Sequence, residues 1–108
     1  MRRKNDFYPT PEGAARALRN RMRFGVHQPL EYAEPCVGDG ALVRGLGIEP
    51  RWTNDIDPQM RATYHFDASK LWPLNGVPWV ITNPPFSLAA EILVHSLARA
   101  TEGVAMLL

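Results

Sequence analysis

Cysteine occurs once, at Cys36, so no internal disulfide can form and no cluster of thiolates can hold a metal. No apolar run approaches the roughly 18–20 residues of a membrane-spanning helix. The basic start Met1-Arg2-Arg3-Lys4 leads into no hydrophobic segment of the secretory type. His27, His65 and His95 stand far apart without ligand spacing, so no metal is expected. Neither sign of charge dominates, with a net of +1 over 108 residues. A hydrophobic content of 45% supports a buried core, so one globular domain is expected, in the reducing cytoplasm and away from membranes.

Charge is nonetheless unevenly placed. Residues 1–23 carry seven Arg or Lys against Asp6 and Glu12, a balance of +5, while residues 24–108 sum to −4. A basic arm on a mildly acidic body can follow a polyanion backbone. The alternative is that Arg16, Arg19 and Arg23 line the solvated face of a helix.

Residues 1–9 read as an extended arm. Thr10-Pro11-Glu12 reads as a helix start, with Thr10 as N-cap and Pro11 at the first helical position, and Gly25 stops that helix after about Phe24. Strands are expected around Leu30–Ala33, Arg51–Asp55, Tyr64–Asp67, Trp79–Thr82 and Val104–Leu108, the last buried on both faces. Short helices are expected at Ala41–Leu46 and after Asp57-Pro58, and a longer one over Ser87–Ala100. Strands alternating with helices imply a mostly parallel α/β sheet covered on both faces. Trp52, Trp72 and Trp79 read as core or loop anchors.

Three motifs carry chemistry. Glu34-Pro35-Cys36-Val37-Gly38-Asp39-Gly40 is a strand end followed by a glycine turn into a helix, where backbone can approach a ligand and helix N–H groups can face it. The third glycine of the pyrophosphate fingerprint is missing, which argues against a dinucleotide. About twenty residues beyond Glu34, Asp55 ends the next strand, a position from which a carboxylate can accept from both hydroxyls of a ribose. The third motif is Asn83-Pro84-Pro85-Phe86, directly after an apolar strand. Two prolines end that strand abruptly, and Asn83 is pushed out of the helical region by Pro84. The loop offers an amide, a backbone carbonyl and an aromatic face, which suits a planar amino-bearing substrate.

Taken together these motifs resemble those of class I S-adenosylmethionine-dependent methyltransferases, most closely the phage and prophage adenine-N6 DNA methyltransferases. Phe7-Tyr8-Pro9-Thr10-Pro11, Glu34 to Gly40, Asn54-Asp55-Ile56-Asp57 and Asn83 to Phe86 occur in the order those enzymes use. The resemblance implies a Rossmann-like fold with S-adenosylmethionine as cofactor. It implies cofactor-binding roles for Tyr8, Thr10, Pro11, Glu34, Pro35, Gly38, Gly40, Asp55, Ile56, Asp57, Asp67 and Asn83. Catalysis would fall to Asn83, Pro84, Pro85 and Phe86. An exocyclic adenine nitrogen is a poor nucleophile because its lone pair is delocalised into the ring. Acceptance of its two N–H bonds by Asn83 Oδ1 and the Pro84 carbonyl would let it pyramidalise and attack a sulfonium methyl in line. Phe86 would stack on the base, which in duplex DNA must be flipped out.

Pro35-Cys36 superficially suits a cytosine-C5 enzyme, but that nucleophile should follow the strand that here ends in Asn83-Pro84-Pro85. Cys36 is therefore expected to pack beneath the glycine turn. Alternatives to DNA adenine are RNA adenine, a protein glutamine amide, or a non-catalytic cofactor-binding module. In the family, more strands and a target-recognition segment follow the fifth strand. Ending at Leu108 on bare apolar residues leads to the expectation that either the sequence is a fragment or a partner or second copy covers a hydrophobic sheet edge.

Overall fold

A computed structural model describes residues 10–22 and 30–108, the side chain of Glu12 excepted. The arm over 1–9, with Tyr8, and the expected helix end at Phe24 and Gly25 lie outside the described residues, as do Arg23 and His27.

Helix α1 spans Glu12–Arg21, strand β1 Tyr32–Glu34, helix α2 Ala41–Leu46 and strand β2 Trp52–Thr53. Strand β3 follows at Val77–Thr82, then a 3₁₀ turn Phe86–Leu88, helix α3 Ala89–Arg99 and strand β4 Ala100–Met106. All four strands are parallel in the order β2-β1-β3-β4. The chain therefore steps from β1 outward to β2, then returns across β1 to add β3 and β4. Strand order reverses between β1 and β3, and in open α/β sheets ligands bind in the crevice beyond the carboxyl ends of such strands.

Side-chain alternation along the strands divides the core in two. Tyr32, Ile81 and Ala105 face α1 and α2, packing with Ala15, Leu42 and Leu46. Ala33, Val80 and Val104 face the other way, against Ile92 of α3 and a cluster of Trp52, Phe66 and Trp72. Helices thus cover both faces. The Tyr32 hydroxyl, within the first cluster, donates to the Ile48 carbonyl at 2.6 Å, and burial raises its pKa well above the ordinary value. Trp72 is 1% exposed and donates from Nε1 to the Ala68 carbonyl at 2.8 Å. It pins the irregular segment before β3, while Trp52 meets it edge-on at 5.7 Å.

Four sequence expectations need correction. Pro11, not Thr10, occupies the cap position of α1, in extended backbone, and its carbonyl accepts from Ala14 and Ala15. Asp57-Pro58 opens a turn rather than a helix, because Asp57 Oδ1 accepts from Gln59 N at 2.9 Å and closes the chain locally. Tyr64–Asp67 is not a strand; only a single parallel bridge joins Asn54 to Tyr64. The Asn54 side chain replaces the missing ladder, accepting from Phe66 N at 2.8 Å and donating to the Phe66 carbonyl at 3.0 Å. Finally, β4 begins at Ala100, and its Val104–Met106 end, like Leu107 after it, is half-buried rather than enclosed on both faces. β4 is the outer strand of the described sheet, so one flank of its backbone has no ladder partner there.

Candidate functional site

The turn after β1 is shaped by glycines in the left-handed region, Gly38 at φ 55° and Gly40 at φ 85°, where other residues are strained. Its N–H groups are not turned outward as the sequence suggests. Gly38 N donates to Asp55 Oδ2 at 2.8 Å, Gly40 N to the Val37 carbonyl at 3.0 Å, and Ala41 N to Asp39 Oδ1 at 3.0 Å. The glycines serve a tight reversal without a Cβ, and these three N–H groups are engaged within the protein.

Asp55 is fully buried at the end of β2. Besides Gly38, it accepts from Asp57 N through Oδ1 at 3.0 Å, so one carboxylate ties the glycine turn to the chain beyond β2. Ile56 and Asp57 are half-buried at that rim. Glu34 is also buried, at 1% exposure, at the end of β1. Pro35 is buried next to it and its carbonyl accepts from Asn54 Nδ2 at 3.0 Å. Asn54 thus joins β1, β2 and the Phe66 segment. Its role was hidden in the sequence, where the only signal is an amide following Trp52-Thr53.

At the end of β3, Pro84 and Pro85 are buried, Asn83 is half-buried and Phe86 is 56% exposed. Asn83 Nδ2 donates to Thr10 Oγ1 at 3.1 Å across 73 positions of sequence. This bond explains why Thr10 does not cap α1: its hydroxyl serves the loop after β3. Pro11 beside it is exposed.

Asp67 bonds locally, Oδ1 accepting from Ser69 Oγ at 2.6 Å and from Ser69 N at 3.0 Å. The Ser69 hydroxyl foremost holds this carboxyl below the ordinary aspartate range. Asp67 follows the Phe66 segment clamped by Asn54. His65 stands nearby, its Nδ1 2.9 Å from the Asp55 carbonyl oxygen. Cys36 is buried in the cluster with Trp52 and Trp72, as expected for a packing residue.

The structure therefore brings Thr10 to Asn83, and Gly38 to Asp55 and Asp57, at neighbouring strand ends of one sheet edge. Among the described residues no three His, Cys, Asp or Glu side chains converge as a metal ligand set. No described helix is long and apolar enough to cross a membrane. No family model, curated protein or solved structure matches the chain.

Proposed function

We propose that the chain is the catalytic part of a Rossmann-like methyltransferase that transfers a methyl group from S-adenosylmethionine to the N6 amino group of adenine in DNA. One observation carries this reading. The glycine turn, the Asp55 carboxylate and the Asn83–Phe86 loop all leave the carboxyl ends of parallel strands, on either side of the point where strand order reverses.

The residues present suit the cofactor. A turn with positive φ at Gly38 and Gly40 presents no Cβ to a close-lying ligand. Ile56, Asp57 and Asp67 offer an apolar surface and carboxylates on the side of β2, suited to an adenosine. Held low in pKa by Ser69, Asp67 is an anion at neutral pH and can accept from an amino group. The cofactor supplies an electrophilic methyl carried on a sulfonium.

On the acceptor side, Asn83 commits Nδ2 to Thr10, so the accepting role toward a substrate amino group falls to Oδ1. The Pro84 carbonyl supplies a second acceptor, and the pair draws both N–H bonds into a geometry that restores the nitrogen lone pair. No covalent enzyme intermediate is needed. Exposed Phe86 provides the stacking face for a flipped base.

Calorimetric titration of S-adenosylmethionine, followed by radiolabelled transfer to duplex DNA, RNA and protein acceptors in parallel, tests the reading. Cofactor binding with transfer to DNA adenine is expected. A folded chain that binds no cofactor would overturn it, and transfer only to RNA or protein would replace the acceptor.

A further inference from the structure

A groove of about 760 Å³ between α1 and α2 adjoins the strand-end site and is rich in arginine. Arg16 and Arg19 of α1 and Arg44 of α2 line it, and among the described residues Asp39 is the one acid there. Asp39 Oδ1 is already engaged by Ala41 N. Arg44 also lines a second groove, of about 470 Å³, together with Glu49 and Arg61. Arg44 is common to both grooves, whose described lining sets four arginines against Asp39 and Glu49 in one basic track. Among the described residues Arg19, Arg44 and Arg61 form no ion pair, in contrast to exposed Arg51, which pairs with Glu31 at 3.0 Å. Arg44 is oriented by donating from Nη1 to the Asp39 carbonyl at 2.7 Å, which leaves its other donors directed elsewhere.

Arginines on a solvated helix face would splay apart, whereas these come from two helices and one loop onto concave surface. A cleft in which one sign of charge predominates focuses its field and concentrates the opposite charge. Guanidinium forks match phosphate oxygens in pairs, and successive guanidiniums suit a ligand with repeated phosphates better than a single small anion. The mouth of the larger groove includes Thr10, whose hydroxyl accepts from Asn83. The track therefore begins beside the loop assigned to the acceptor base.

We propose that Arg16, Arg19, Arg44 and Arg61 hold the phosphodiester backbone of the DNA strand that carries the acceptor base. The choice of DNA rests on the methyltransferase reading; the basic track itself does not. These contacts would position the strand without reading its sequence.

The test uses the full chain and a fluorescent duplex of mixed sequence, with anisotropy measured from 50 to 200 mM salt. Arg16→Gln/Arg19→Gln should weaken DNA binding by about tenfold or more and reduce the log–log salt slope by about 2. Arg16→Lys/Arg19→Lys should recover most of the affinity, and S-adenosylmethionine affinity should stay unchanged in both. Circular dichroism guards against a folding defect, and Arg61→Gln, remote from α1, should independently lower the slope by about 1. Unaltered DNA affinity and slope in the glutamine variants would overturn the proposal. So would a loss of cofactor affinity in their place, or tighter binding of single-stranded RNA than of the duplex. Arginine-dependent DNA binding by a chain that binds no cofactor supports the track and removes the methyltransferase reading.

Discussion

The turn after β1 and the loop after β3 leave adjacent parallel strands at one edge of the sheet, yet they are built in opposite ways. The first closes on itself: Gly38, Gly40 and Ala41 give their N–H groups to Asp55, Val37 and Asp39, and the Asp55 carboxylate is fully buried. The second is rigid in backbone because of Pro84 and Pro85, while Asn83 is half-buried and Phe86 exposed. Phe86 is 56% exposed, and Asn83 is tethered by Thr10 from a distant part of the chain. The difference suits two kinds of ligand. On the proposed reading, a turn with these three N–H groups already engaged keeps its shape before the cofactor arrives, so little ordering is required on binding. On the same reading, an exposed aromatic beside an amide tied to Thr10 suits a substrate that arrives attached to something larger.

The largest effect that could break this comparison is expected at the open loop. Asn83→Ala should slow methyl transfer by about 10²–10³-fold, the scale of losing one preorganised group at a reacting centre. Cofactor affinity should fall far less, as single-turnover rates beside calorimetry will measure. Equal losses in the two quantities would count against a role for Asn83 at the reacting nitrogen.

At the closed turn, a change should register first as stability. Asp55→Ala removes the acceptor of Gly38 N and Asp57 N and should cost about 1–3 kcal/mol in denaturant unfolding, with weakened cofactor binding. A variant as stable as the parent would mean that the turn keeps its form without this carboxylate, and the contrast between the two loops would be lost.

The smallest effect sharpens the comparison at the rim. Asp67 has a folded-state pKa below that of the unfolded chain, chiefly through the Ser69 hydroxyl. Its stabilising contribution is therefore fully present above the unfolded value of about 3.9 and is lost as pH falls through the lower folded value. Thermal midpoints followed from pH 6 downward should decline less steeply in Ser69→Ala than in the parent. Identical slopes would show that this pair contributes nothing measurable.

Elements bounded by strong punctuation were legible. Helix α2 runs over Ala41–Leu46 as expected, because positive-φ glycines at 40 and 47 close both ends. The apolar run ending at Thr82 is a strand because Pro84 and Pro85 cannot continue a ladder, and Trp52 and Trp72 are core anchors. Elements whose hydrogen bonds come from far away were not legible. Tyr64–Asp67 carries a strand-like pattern, yet the Asn54 side chain supplies the bonds that a neighbouring strand would have made. Thr10 has the local signature of a cap, but a partner 73 residues away takes its hydroxyl. Arg44 gave no local signal of joining Arg16 and Arg19, since only the packing of α2 against α1 brings them to one groove.

From the sequence alone followed the alternation of strands and helices, the glycine turn, the proline-bounded loop and the residue types able to hold an adenosine and an amino group. These are properties of short stretches, set by backbone sterics and by the period of apolar residues. The tertiary structure decided strand order, the reversal between β1 and β3, and which polar groups meet. Parallel pairing joins segments far apart in the chain, and a buried amide or carboxylate takes whatever partner the packing delivers.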